Sequence, residues 1–139
     1  MARILVVDDD KAMRLLLRAM LESRGHSVVE AKNGDEALHY YWAAPADLVI
    51  TDMEMPVKDG LQMMQELRNT CPTAKIIAIS GDRGRLAAAQ TFSQCTFEKP
   101  LYMEEFLDAV QAFASAPGSS VYMLQPRTLV AVHSVQGDV

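Results

Sequence analysis

Two rhythms of apolar and polar positions alternate along the chain. Ile4-Leu5-Val6-Val7 is a short unbroken apolar run, as in a strand buried on both faces. Met13, Leu16, Leu17, Met20 and Leu21 then recur at helical spacing, with Arg14 and Arg18 on the opposite face. Gly25 sits where the cap of that helix belongs. Ser27-Val28-Val29-Glu30-Ala31 reads as a second strand. Asn33 is placed to cap a helix carrying Ala37, Leu38, Tyr41 and Trp42, which Pro45 prevents from continuing. Asp47-Leu48-Val49-Ile50-Thr51-Asp52 is a third strand, and Pro56 and Asp59-Gly60 mark the loop after it. Leu61, Met64 and Leu67 line a third helix that stops before Pro72. Ala74 to Ser80 is a fourth strand, residues 84–92 a short alanine-rich helix, and Thr96-Phe97-Glu98 a brief fifth strand. Met103, Phe106, Leu107, Val110 and Phe113 form a last amphipathic helix.

Five strand–helix alternations with continuous apolar strands imply a parallel sheet covered on both faces. The expected fold is a doubly wound α/β domain with the flavodoxin-like strand order 2-1-3-4-5. That unit fills residues 1–114. Residues 115–120, Ser-Ala-Pro-Gly-Ser-Ser, read as a linker, and residues 121–139 form a tail too short for a second domain. Val130 and Val132 give the tail some strand character, but a loosely ordered terminus is the simpler expectation.

Composition narrows the function classes. The 139 residues carry a net charge of −5, which disfavours nucleic acid as a direct partner but not a cation. Half the residues are apolar, yet no run is long enough to span a membrane. Three aspartates follow the first apolar run too early for an export signal, so a cytoplasmic protein is expected. Cys71 and Cys95 make neither a disulfide framework nor a zinc site and are expected to be buried small hydrophobes. His26, His39 and His133 are scattered and none is assigned as a ligand. The nine methionines read mostly as core packing, and Trp42 with its neighbouring tyrosines as one half-buried helix face.

Ligands of an open α/β sheet bind beyond the C-terminal strand ends. Those ends carry Asp8-Asp9-Asp10, Asp52, Ser80, and Glu98-Lys99-Pro100. With strands one and three adjacent, Asp8, Asp9 and Asp52 meet in one crevice, where mutual repulsion raises their pKa values unless a divalent cation intervenes. An oxygen-only set with room for water suits Mg2+. Helix capping would account for Asp8 or Asp9 alone, but not for Asp52 or Lys99. Lys99 and Ser80 beside a metal call for an anion. A phosphoryl group fits, with one oxygen on Mg2+, another on Lys99 and a third accepting from Ser80, and with Asp52 as nucleophile.

These residues resemble those of the receiver domains of two-component response regulators, over residues 2 to about 114. The marks are Val6-Val7-Asp8-Asp9, the segment Asp52-Met53-Glu54-Met55-Pro56-Val57-Lys58-Asp59-Gly60, Ser80, and Lys99-Pro100, with Ala31 to Leu38 similar to the family's second strand-to-helix passage. The resemblance implies that Asp52 is the phosphoacceptor, charged by a phosphohistidine on a histidine kinase or phosphotransferase. It implies that Asp8, Asp9, Asp52 and the backbone carbonyl of Glu54 hold Mg2+. Lys99 would pair with the acceptor and Ser80 would move toward the phosphoryl group. It also implies a cis Lys99–Pro100 bond and a changed protein-binding face as output, read by a downstream target not legible here or by homodimerisation. Such a switch catalyses its own phosphorylation and dephosphorylation without being a turnover enzyme.

Two positions depart from the family pattern. Thr96 stands where an aromatic is usual, with Phe97 expected on the other side of the strand. The stretch from Ser80 to Lys99 is short, so a reduced fourth helix is expected. Glu54 and Asp82 each lie two residues past a key position, where the resemblance implies an effect on the phosphoryl lifetime. The alternatives are a receiver-like module that binds protein without phosphorylation and an Mg2+-dependent phosphatase with an aspartyl nucleophile. For the second, the domain lacks an evident cap. A flavin carrier is disfavoured, because Asp8-Asp9-Asp10 would repel a cofactor phosphate.

Overall fold

A computed structural model describes residues 2–55 and 58–115. The expected linker (but for Ser115), the tail, His133, and Pro56 and Val57 lie outside the described residues. Five strands and five helices alternate: β1 (Arg3–Val7), α1 (Lys11–Ser23), β2 (Ser27–Ala31), α2 (Gly34–Ala43), β3 (Leu48–Asp52), α3 (Gly60–Thr70), β4 (Ile76–Ser80), α4 (Arg83–Ala89), β5 (Cys95–Glu98) and α5 (Met103–Ser115). All pairings are parallel and the strand order is β2-β1-β3-β4-β5, as the alternation implied.

The side-chain period of two divides each central strand between two cores. Ile4 and Val6 of β1, Leu48 and Ile50 of β3, and Ile77 and Ile79 of β4 join Leu17 and Leu21 of α1 and Phe106 and Val110 of α5. Leu5, Val7, Val49, Ile76 and Ala78 point the other way, onto Leu38 and Tyr41 of α2, Met63, Met64 and Leu67 of α3, and Ala89 of α4. Complete burial of each such aliphatic side chain stabilises the fold by about 1.5–3 kcal/mol. Phe97 packs edge-on against Phe106 with ring centroids 5.4 Å apart. It therefore faces the α1–α5 side, and Thr96, buried beside it, faces α4.

Helix starts follow local chemistry. Asp10, Asn33, Asp59 and Asp82 each accept a backbone N–H from the first turn of the helix that follows. Gly25 takes φ +89 just past α1, a left-handed conformation that suits glycine. The helix α4 has seven residues, shorter than the 84–92 pattern and reduced as the short Ser80–Lys99 stretch implied.

Several sequence-based expectations need correction. Leu16, assigned to the apolar stripe of α1, is 47% exposed, as is its neighbour Leu15 at 50%. The aromatic cluster of α2 is not one half-buried face. Tyr41 is buried, whereas Tyr40 and Trp42 are exposed, the Trp42 indole donating to Thr70 Oγ1 at 3.1 Å. Cys95 is buried, but Cys71 is only partly so and lies 3.5 Å from the Tyr41 hydroxyl. β4 begins at Ile76 rather than Ala74, because the Gln94 amide occupies the ladder there, accepting from Ile76 N–H and donating to the Ala74 carbonyl. Asp47 precedes β3, its carboxylate accepting from Arg3 N–H at 2.8 Å.

Candidate functional site

The strand register carries the polar ends to one edge. Val7 pairs with Thr51, Asp52 with Ile79 and Ser80 with Glu98. Asp8, Asp52, Ser80 and Lys99 thus follow one another across β1, β3, β4 and β5. Carboxylate oxygens of Asp8, Asp9 and Asp52 all lie within 4.8 Å of one another. Lys99 Nζ stands 3.4 Å from Asp52 Oδ1. Lys99 N–H donates to the Ser80 carbonyl at 2.9 Å, tying the two strand ends together. The Lys99–Pro100 peptide is cis.

The three acids differ in environment. Asp9 is exposed, whereas Asp8 and Asp52 are 3% and 5% exposed. Burial pushes the Asp8 carboxyl up to about 6; the Asp10 N–H opposes the rise and the Asp52 charge adds to it. Burial likewise raises Asp52, against the pull of Lys99. Asp52 Oδ1 is buried and accepts no well-formed hydrogen bond among the described residues. Helix capping explains neither Asp8 nor Asp9, because Asp10 does that work and takes the Ala12 N–H at 2.9 Å. Two buried carboxylates and an exposed third converge here, and the buried Asp52 Oδ1 has the Lys99 ammonium as its neighbour. The residues fit a hard divalent cation such as Mg2+ with open positions for water or a phosphoryl oxygen.

Three supporting features escaped the sequence reading. Arg14, expected on the polar face, is largely buried. Its Nη1 donates to the Asp8 carbonyl at 2.8 Å and its Nε to Glu30 at 3.1 Å. That guanidinium fixes the peptide between the two aspartates. Gly60 lies under the end of β3, where an added Cβ would overlap the Asp52 carbonyl oxygen and sit 3.0 Å from Met53 Cα. The Glu54 side chain accepts the Ser80 hydroxyl. Asp-Gly in the loop was a visible signal for Gly60. The partners of Arg14 and Glu54 depend on loop paths that spacing does not encode. The flanking loop is tied down as well: Gly34 N–H donates to the Lys58 carbonyl at 3.1 Å, and Lys58 Nζ pairs with Glu66 and Asp35.

Comparison with known proteins gives a single answer. Residues 4–111 match the model of the response regulator receiver domain. The response regulator MprA of Mycolicibacterium vanbaalenii is 36% identical over 113 residues, covering 79% of this chain and 49% of that protein. The CAI-1 autoinducer sensor kinase/phosphatase CqsS of Vibrio cholerae is 37% identical over 117 residues, covering 80% of this chain and 17% of that one. The chain thus spans about half the length of MprA and less than that of the sensor kinase. Among solved structures, the response regulator TrrA of Thermotoga maritima, in complex with Mg2+ and beryllium fluoride, superposes with a TM-score of 0.77 at 33% identity, over 81% of this chain and 99% of that one. Receiver domains are signalling modules that work with histidine kinases, and among the described residues no helix is long and apolar enough to cross a membrane. With a family model that spans most of its length and relatives of this similarity, the chain belongs to the response regulator receiver domains.

Proposed function

We propose that the chain is a cytoplasmic, phosphorylation-dependent signalling switch in which Asp52 accepts a phosphoryl group from a phosphohistidine on a partner kinase or phosphotransferase. One observation carries this reading. The buried Asp52 carboxylate has one oxygen without a well-formed hydrogen bond, and around it stand two further carboxylates on one side and Lys99 on the other. A purely structural aspartate would be fully hydrogen-bonded. A metal site alone would not need the lysine.

Asp8, Asp9, Asp52 and the Glu54 backbone carbonyl would hold Mg2+, whose charge neutralises the phosphoryl oxygens as the group is transferred. The chain's own residues do the rest. Asp52 attacks phosphorus, the P–N bond of the phosphohistidine breaks, and its electron pair stays on the imidazole. Burial keeps the attacking carboxylate poorly hydrated, and Lys99 offsets its charge. Phosphoryl transfer through a loose transition state is mostly positioning and charge neutralisation, and these strand ends supply both. Ser80, two strands from Asp8, donates to a phosphoryl oxygen once the group is in place. Its movement would change the surface near α4 and β5, which a downstream protein or a second copy of the chain then reads.

The beryllium fluoride complex of the Thermotoga relative supports the same reading, since a tetrahedral fluoride of beryllium resembles a phosphoryl group in shape and charge. Incubation with a small-molecule phosphodonor and Mg2+, followed by intact mass, tests it. The wild type is expected to gain one phosphoryl adduct that Asp52→Asn lacks. No adduct on the wild type would favour a module that acts without phosphorylation, and an undiminished adduct on Asp52→Asn would remove Asp52 from its role.

A further inference from the structure

Ser80 is fully buried at the end of β4, and its hydroxyl is already engaged on both sides. It accepts the Asp82 N–H at 2.9 Å and donates to Glu54 Oε2 across the gap between the β3 and β4 ends. The same Glu54 oxygen lies 4.0 Å from Arg85 Nε, which projects from the first turn of α4. A serine hydroxyl has one proton to give. While Glu54 holds that proton, a phosphoryl oxygen on Asp52 cannot.

We propose that Glu54 is a positioning residue that withholds the Ser80 hydroxyl until a phosphoryl group displaces it. The inference rests on the reading of Asp52 as phosphoacceptor and adds a step to it. Two anions, the Glu54 carboxylate and the new phosphoryl group, compete for one donor. When the phosphoryl group wins, Glu54 keeps Arg85 as its cation, and the displacement reaches α4 through that ion pair. This route needs no aromatic on β5. It therefore suits a chain in which Thr96 faces α4 and Phe97 is locked against Phe106 in the opposite core.

The hold has an energetic signature that plain charge repulsion lacks. A charge-assisted hydrogen bond given up on ligand binding is equivalent to about tenfold in affinity. The probe is Mg2+ with beryllium fluoride, titrated into the full chain by calorimetry or fluorine NMR, with thermal unfolding as a check that each variant folds. Glu54→Gln weakens the hold, since its amide oxygen is a neutral acceptor for the Ser80 hydroxyl, and is expected to bind the probe several-fold more tightly than wild type. Glu54→Asp keeps the charge but falls short of Ser80, and is expected to gain similarly. In a Ser80→Ala background both gains should shrink to about twofold or less, the scale of a solvent-screened charge effect.

If Glu54→Asp binds like wild type, or if Glu54→Gln gains equally with and without Ser80, repulsion alone accounts for the effect and the hold is refuted. Wild-type binding with no change in any Glu54 variant also refutes it, and leaves the phosphoacceptor reading intact. Failure of the wild-type chain to bind the probe would overturn that underlying reading, and the hold with it.

Discussion

Replacing Asp8 by asparagine should stabilise the metal-free protein and destabilise it relative to wild type when Mg2+ is present. Asp8 is almost fully buried, and its carboxyl is pushed up from 3.8 to about 6, chiefly by burial. The difference of about two units at 1.36 kcal/mol each is an ionisation cost of about 3 kcal/mol at most. Because the folded-state value lies above the unfolded one, the group's contribution is fully present below about pH 4 and is lost as pH rises through about 6. Above that range the metal-free fold carries the charge at a cost. Asparagine removes the charge and keeps an oxygen for the Asp10 N–H, which donates to Asp8 Oδ1 at 2.9 Å. At about pH 7.5 in a chelator, Asp8→Asn should therefore be more stable by on the order of 1–3 kcal/mol, or roughly 3–10 °C in Tm for a domain of this size. At about pH 4 the two proteins should converge. Saturating Mg2+ should raise the wild-type Tm by mass action and raise the variant far less. Thermal unfolding by circular dichroism, with and without Mg2+ at both pH values, reads all four terms. A variant less stable than wild type in chelator near neutral pH, or one that gains as much from Mg2+, would refute the reasoning.

Three further outcomes follow from the same geometry. Gly60→Ala forces a Cβ into the Asp52 carbonyl, so it should lower stability by about 2 kcal/mol or more and weaken Mg2+ binding, as denaturant unfolding and a Mg2+ titration would show. Arg14→Met should cost about tenfold in Mg2+ affinity by freeing the Asp8–Asp9 peptide, whereas Arg18→Met, whose side chain is 43% exposed, should change it little. Phe97→Ala opens a cavity against Phe106 and should cost about 3–5 kcal/mol in chemical denaturation, while the Mg2+ affinity of the folded fraction stays near wild type.

The fold was legible because the central strands are apolar on both faces. Val6-Val7 and Leu48-Val49-Ile50 admit no other placement than between two helical layers, and the register then follows the chain. The same logic located the site, since Asp8, Asp52, Ser80 and Lys99 are the polar residues at the ends of such runs. Legibility failed where exposure depends on what packs opposite. Leu16 satisfies the helical period of α1, yet among the described residues it stays 47% exposed. It failed again where a long side chain chooses between solvent and a backbone carbonyl. Arg14 and Arg18 share one face of the sequence pattern, but only Arg14 is near enough to the β1 end to reach the Asp8 carbonyl. Glu54 was expected to offer its backbone carbonyl to a metal and to affect the phosphoryl lifetime, with no partner foreseen for its side chain. Only the approach of the loops after β3 and β4 brings it to the Ser80 hydroxyl.

Chemical mapping of the phosphorylated residue tests the central claim most directly. After treatment with a small-molecule phosphodonor, borohydride reduces an aspartyl phosphate to homoserine, which peptide mass spectrometry locates. The account predicts homoserine at position 52, formed with Mg2+ and lost with a chelator. Homoserine at another aspartate, or equal labelling of Asp52 without Mg2+, would contradict it.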